Sequence, residues 1–537
     1  MRNLLLALVI SLSLAHPALK ASNYYVSTTG NNMQAGTFSN PWKTIQYGLD
    51  SAHAGDTVFI RAGEYNEQVV SHRSGTASNR IVLCGYPNEQ VIIDGTGVSG
   101  VNNGLIITNS FITLKNIEVR DWTDTGVWIY GNIDSITVLD CKVHNCPFCL
   151  SLSDGVHNFL IDNALIYDFG PPSGGGNGFG FSVEPNGVPC YNGLITNSKS
   201  YHELDTTANN DGFALGHHDV SNITFRNCET YDVFDGFDVS GHNVLLEQCS
   251  AHHITNGDGA YKLWPDSITL VNCIGYHSTS NVQLDYDGRT AIANLFNCTF
   301  HDAIGLGYNI WIENSTTSHL NMYNCIVSGG DNRGFTFEQS SYSNYSGDYN
   351  IFQNDDTVRA ISTLSIDISI AQIQSGVWNS LSSQDLHSIA LVSSASLFIN
   401  DNGAAPDLHL KAGSEAINTG TSAHAPQSDY TGCLRNDGHP DIGAYEYGCF
   451  TSGINATSKS PKSFLIFPNP VTEVITIKLN NAIPCKRYNI FEHSGKQVLS
   501  GKITNEITTV DISKLSNGIY LLTVDELRGQ SFEVINK

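Results

Sequence analysis

The sequence predicts an all-β fold: a parallel β-helix with a cap before it and a small sandwich-like domain after it. Three observations predict it. A dipeptide of the Asn-Cys type returns at Asn227-Cys228, Gln248-Cys249, Asn272-Cys273, Asn297-Cys298 and Asn324-Cys325, at cysteine intervals of 21, 24, 25 and 27 residues. Each return closes a short alternating run, such as "SNITFRNC", "NVLLEQC" or "SITLVNC". An acidic phrase recurs at the same interval, as "NDGFALG", "DVFDGFDVS" and "GDGAYKLW". Periods of about 20 to 30 residues indicate a solenoid, and short alternating strands between Gly, Asn, Asp and Ser turns make it a β-solenoid.

The elements follow in chain order. "MRNLLLALVISLSLAHPALKAS" has the charged start, apolar centre and small residues of a secretory signal, assigned to residues 1–21. "PWKTIQYGLDSAHAGD" spaces Trp42, Ile45, Leu49 and Ala52 as one face of a helix, with Gly55 at its end. This helix is expected to cap the open core of the solenoid. The solenoid is assigned to residues 22–450. Its cysteines are expected to stack as small buried side chains, with asparagines beside them at a turn. Three residues after each cysteine runs a His or aromatic column, His144, Tyr231, His252, Tyr276 and His301. Beside it run Asn145, Asp232, His253, His277 and Asp302. Both columns keep the repeat phase, which argues for ladders rather than zinc ligands. Cys433 and Cys449 flank a compact loop and are the best disulfide candidates.

"TSGINATSKSPK", residues 451–462, reads as a polar linker. Residues 463–537 alternate as strands of a small sandwich-like domain. Phe467-Pro468-Asn469-Pro470 and Asn517-Gly518-Ile519-Tyr520 resemble the type IX secretion sorting domain. That resemblance implies type IX machinery as a partner and a secreted or surface-attached protein.

The chain has 537 residues, 41% hydrophobic and only 15% charged, yet its formal net charge is −24. Such acidity argues against nucleic acid as a partner. Beyond the signal, no stretch is long and apolar enough to span a membrane. A monomer is expected.

The acidic phrases align coil on coil. Asp211 and Asp235 fall in one column, and Asp238 and Lys262 share another. Phe213, Leu215, Phe237 and Val239 should face the core, which turns Asp238 outward. Stacked carboxylates raise one another's pKa unless a cation removes the conflict. Calcium, with six to eight oxygen ligands, suits Asp211, Asp235 and Asp238, with Asp232, Asn209 or Asn210 in reserve. For Asp211 and Asp258 taken singly, a plain Asp-Gly turn is the favoured reading. Lys262 would then be a base that takes a proton beside a uronate carboxylate, lowered in pKa by cation charge and desolvation. "GDGAYKLW" carries one residue more than the coil below it.

The opening and closing segments, "YYVSTTGNN" through "NEQVV" and "DLHLKAGSEAINTG" through "DIGAYEY", resemble secreted right-handed parallel β-helix proteins. The acidic phrases resemble the family nine polysaccharide lyases, the β-helix pectate lyases with a lysine base. In that pattern Asp211, Asp235 and Asp238 match calcium ligands and Lys262 the base, while Phe234 stands where the family has another Asp. The resemblance implies a secreted calcium-dependent lyase acting on an acidic, uronic-acid-containing polysaccharide by β-elimination. Tyr261, Trp264 and His242 are the expected substrate contacts.

Two other functions fit parts of the sequence. A non-catalytic glycan-binding β-helix would use Tyr261, Trp264, Tyr286 and Trp311 as stacking platforms. A polygalacturonase-type hydrolase needs paired acids on one face, and "GHHD" at 216–219 superficially resembles such a site.

Overall fold

In the computed structural model, residues 21–448 and 464–534 are described. The exceptions are 172–176, 207, 217–218, 286, 306, 314–317, 331–332, 339–341, 355–358 and 437 in the first span. In the second they are 468–470, 472, 480–485, 493–495, 504–506 and 525–526. Residues 1–20 of the expected signal, 1–21, and the whole expected linker, 451–462, lie outside the described residues.

The coils wind as expected. Successive strands pair in parallel across coils, for example Val138 with Ile161 and then Ile195 on one face. On another, Val143 pairs with Ile166 and then Ser200. Alternation turns every second side chain inward, where Phe181, Phe213, Phe225 and Phe237 are completely buried in one continuous core. Each such Phe contributes roughly 1.5–3 kcal/mol of transfer free energy.

Three ladders explain the repeat. Cys228, Cys249, Cys273, Cys298 and Cys325 are free and buried. The Cys273 N–H donates to Cys298 Sγ and the Cys298 N–H to Cys325 Sγ, both at 3.4 Å. The residue before each cysteine holds a left-handed backbone, φ 51° at Asn227, 52° at Asn272 and 52° at Asn297. Asn tolerates that conformation better than most residues. Its side chain also bonds the next coil: Asn227 Nδ2 donates to Asn197 Oδ1 at 2.8 Å, and Asn324 Nδ2 to Asn297 Oδ1 at 3.1 Å. The third ladder is a ring stack, His144–Tyr167–Tyr201–Tyr231–His252–Tyr276, with centroids 4.4 to 5.4 Å apart. His301 continues the column by register.

The N-terminal cap forms as the spacing predicts. Helix α1, Ile45–Ser51, starts at Thr44, whose side chain accepts the Tyr47 N–H. Trp42, Ile45, Leu49 and Ala52 are all buried. The other end is closed by two short helices. Helices α2, Ile370–Gln374, and α3, Val377–Ser382, put Ile370, Ile373 and Trp378 into the core of the last coils. The segment 407–447 runs instead along the asparagine ladder. Asn272, Asn297 and Asn324 donate to the carbonyls of Ser428, Asp441 and Thr421. These carbonyls sit where the ladder side chains leave donors facing outward, so the strap satisfies them. Cys433 is disulfide-bonded, and residue 449 lies outside the described residues.

The tail is separate in topology. Its strands form a three-stranded and a four-stranded antiparallel sheet around Ile475, Ile477, Ile490, Leu522 and Val524.

Candidate active site

Three adjacent coils build the site. Strand Asn210–Leu215 pairs with strand Asp235–Glu247, setting Asp211 beside Asp235, Phe213 beside Phe237 and Ala214 beside Asp238. The latter strand pairs with Tyr261–Val271, setting Phe237 beside Tyr261 and Asp238 beside Lys262. Inside, the rings of Phe213, Phe237 and Tyr261 stack at 5.0 and 5.3 Å. This stack locks the register, so Asp238 and Lys262 must face outward together. A side chain at Gly236 would press its Cβ to 2.4 Å from the Ala260 carbonyl oxygen. Glycine is therefore needed next to Asp235.

The geometry brings Asp211, Asp235 and Asp238 together. One carboxylate oxygen of each lies within 4.8 Å of the others. Lys262 Nζ lies 2.7 Å from Asp258 Oδ2, 3.2 Å from Asp235 Oδ2 and 3.8 Å from Asp238 Oδ2. Asp235 is fully buried and Lys262 only 6% exposed. The Asp235 carboxylate also accepts the N–H groups of Asp258 and Gly259, at 2.7 and 3.1 Å. Asp211 Oδ1 is buried without a hydrogen-bond donor.

The electrostatics reflect this crowding. Burial, then Asp238 and Asp235, pushes the Asp211 carboxyl well above the usual carboxylate range. Burial raises Asp235, although Lys262 opposes it. Burial and Asp235 push Asp238 up to about 7, against Lys262 and the Trp264 indole. Burial alone would lower the Lys262 amine. Asp235, Asp238 and Asp258 outweigh it and hold the amine above its ordinary value. Three mutually repelling carboxylates, one with an oxygen lacking a donor, suit a hard cation with oxygen ligands.

The other expected residues fare differently. Tyr261 is not a substrate contact. It is fully buried, and its hydroxyl donates to the carbonyls of Cys249 and Ile274. Neighbours in a strand alternate, so Tyr261 beside the outward Lys262 has to face the core. Trp264 lies outward and half-buried, its Nε1 donating to Asp238 Oδ1 at 2.5 Å. His242 is exposed and faces Asp266 Oδ1 at 3.5 Å and Ser267, not the carboxylates. Asp258 is not only a turn residue: its carboxylate is the nearest partner of Lys262. The reserves do not join the convergent oxygens. Asp232 is exposed at a corner, Asn210 Nδ2 donates to the Asp205 carbonyl, and Asn209 Oδ1 is buried without a donor. Tyr286 and the central two residues of "GHHD", 217–218, lie outside the described residues.

Sequence reasoning missed Gln283. It pairs with Lys262 on the next coil and is 3% exposed. One more step of the coil alignment, onto "NVQLDYDG", would have found it.

Fold and site together define a right-handed parallel β-helix protein with three convergent aspartates and a lysine on one outward sheet. The chain belongs to the Pel9A-like right-handed beta helix family, whose model matches residues 24–354. Residues 465–535 match the secretion system C-terminal sorting domain. The protein is secreted or attached to the cell surface, and among the described residues no helix is long and apolar enough to cross a membrane. Pectate lyase PEL9 of Emericella nidulans is 42% identical over 145 residues, 26% of this chain and 32% of that protein. The match thus spans about a third of that relative's length. Pectate lyase L of Paenibacillus polymyxa is 28% identical over 367 residues, 57% of this chain and 75% of that protein. The crystal structure of pectate lyase Pel9A is 15% identical, with a TM-score of 0.43, covering 79% of this chain and 96% of that one.

Proposed function

We propose that this chain is a calcium-dependent lyase that cleaves a uronic-acid-containing, pectate-like polysaccharide by β-elimination. Lys262 is the base in this reading, and Asp211, Asp235 and Asp238 are the calcium ligands. One observation carries it: three convergent carboxylates and a buried lysine on adjacent coils. The pectate lyase names of two relatives support the substrate class.

Calcium held by the three aspartates would bind the uronate carboxylate and make the adjacent C5 proton more acidic. Lys262 Nζ takes that proton. The C5–H electron pair becomes the C4=C5 double bond, the C4–O bond breaks, and the leaving oxygen takes a proton from water. A neutral amine is required. With the carboxylates uncommitted, Lys262 is held protonated. Once Asp235 and Asp238 are committed to a cation, Asp258 alone of the three still holds the amine up, while burial and the cation's charge pull it down. Trp264 orients Asp238, and the half-exposed Asp258 receives the protonated amine between turnovers.

A second reading, a non-catalytic glycan-binding solenoid, is favoured by Phe234, which leaves the cluster one acid short of the family pattern. Ultraviolet absorbance of the unsaturated product separates the two. The lyase releases it from polygalacturonate with calcium present and not with chelator. No product from any acidic polysaccharide, with calcium and across pH, gives the function to the second reading.

A further inference from the structure

Inside the core, behind the acid cluster, hydroxyls press against glycines. Strands Gly178–Glu184, Asn210–Leu215 and Asp235–Glu247 carry Gly180, Gly212 and Gly236 at one level, directly after Phe179, Asp211 and Asp235. A different wall of the same coils carries Ser200, Thr230 and Ala251, which follow one another in register. All three are completely buried. A Cβ at Gly180 would collide with Ser200 Oγ, and a Cβ at Gly212 with Thr230 Oγ1. The third coil, with Gly236 and Ala251, has no hydroxyl at this level.

Neither hydroxyl has a hydrogen-bond partner. A buried polar group left so is unfavourable and calls for a reason. Each oxygen lies where glycine has a hydrogen in place of Cβ, which makes a Cα–H···O contact. Such contacts bring carbon and oxygen to about 3.3–3.6 Å. A methyl group in the oxygen's place would need about 3.5–4.0 Å. The hydroxyl therefore lets the glycine strand sit deeper by roughly a few tenths of an ångström. Calcium–oxygen distances span only about 2.3–2.6 Å. A shift of that size decides whether a carboxylate reaches a shared ion.

Only one of the two hydroxyls bears on the cluster. Gly180 follows Phe179, which carries no acid, whereas Gly212 follows Asp211. Asp211 is also weakly anchored through its side chain. The Asp235 carboxylate accepts two backbone N–H groups, and Asp238 accepts the Trp264 indole N–H. Asp211 Oδ1 has no donor. Its place follows from the depth of its own backbone.

We propose that Thr230 is a positioning residue: its hydroxyl, seated on Gly212 in the core, sets the depth of Asp211 and so its distance from Asp235 and Asp238. This rests on the calcium reading of the cluster, and one arm of its test does not.

The test uses the full chain, with calcium alone as the probe in calorimetric titration, beside thermal transitions in chelator. Thr230→Val exchanges the hydroxyl for a methyl group of similar size. It should weaken calcium binding by about 10- to 100-fold, the range for losing a residue that orients a metal ligand. Its Tm should change little, since removing an unpaired buried hydroxyl offsets the pressure on Gly212. Thr230→Ser keeps the oxygen and should bind calcium like the parent. Thr230→Ala removes the contact without pressing on Gly212, and should weaken binding by a smaller factor. Ser200→Val puts a methyl group against Gly180, below Phe179, and should leave calcium affinity unchanged whatever it does to Tm. In crystal structures, Asp211 should move away from Asp235 in Thr230→Val and superpose on the parent in Thr230→Ser. Unchanged affinity in both Thr230→Val and Thr230→Ala, an equal loss in Thr230→Ser or Ser200→Val, or an unmoved Asp211 would overturn the proposal. A parent that binds no calcium refutes the calcium reading, while the displacement of Asp211 still decides the role of Thr230.

Discussion

Replacing Lys262 by methionine removes one charge from the most crowded place in the molecule and keeps most of the stem. Its ammonium lies 3.2 Å from Asp235, which is fully buried, and 3.8 Å from Asp238. The variant leaves both facing Asp211 with no positive partner. Breaking a buried pair by deleting one member costs about 3–5 kcal/mol. Unfolding entropy of about 2.1 cal/mol/K per residue gives roughly 0.9 kcal/mol/K over a solenoid of about 430 residues, so Tm should fall by roughly 3–6 °C. The fall is expected in chelator at pH 8. At pH 6 it should shrink, because Asp238, already pushed up to about 7, takes a proton. Saturating calcium should close the gap, since a cation replaces the lost charge and binds a more negative site. Turnover should drop by about 10²- to 10⁴-fold, the range for a lost general base. Lys262→Arg should restore stability and not turnover, because guanidinium stays protonated. Scanning calorimetry with and without calcium, beside the product absorbance assay, measures both. An unchanged Tm in chelator at pH 8, or a deficit that calcium does not touch, would refute the electrostatic account. Near-normal turnover would remove Lys262 from the chemistry.

Further outcomes are expected elsewhere. Asp235→Asn keeps an oxygen for the Asp258 and Gly259 N–H groups but loses charge, so the fold should persist while calcium titration weakens by at least about tenfold; unchanged titration would exclude Asp235 as a ligand. Ending the chain at residue 450 should leave the solenoid's transition and activity intact, because the tail has its own core; loss of the transition would make the tail structural. Burial, joined by Asp205 and Asp235, pushes Glu203 up to about 7 from 4.5, against Asn210 and the Phe234 N–H. Its folded value is the higher one, so its contribution favours the fold below about pH 4.5 and is lost as pH rises through about 7. Glu203→Gln should flatten that part of the Tm–pH curve, and a curve of unchanged shape would show that Glu203 does not titrate there.

The sequence by itself determined the solenoid and the meeting of the site residues. A coil repeats side-chain phase, so aligning Asn-Cys pairs also aligns Asp211 with Asp235 and Asp238 with Lys262. The cap was legible for a similar reason, since the spacing of Trp42, Ile45, Leu49 and Ala52 has a meaning within one helix. The tertiary structure alone decided what depends on closure between coils. The extra residue in "GDGAYKLW" is absorbed before Ala260, which keeps Tyr261 in line with Phe237 and sends it into the core. The same displacement takes Asp258 out of the acid column and onto Lys262. Stacking also decided the charge state. The amine is held above its ordinary value, against burial, by Asp235 and Asp238 from the preceding coil and Asp258 from its own, a sum over distances that no linear spacing contains. The strap over the asparagine ladder was likewise invisible, because its bonds join Asn272 to Ser428 and Asn297 to Asp441, residues brought together only when the whole solenoid has wound.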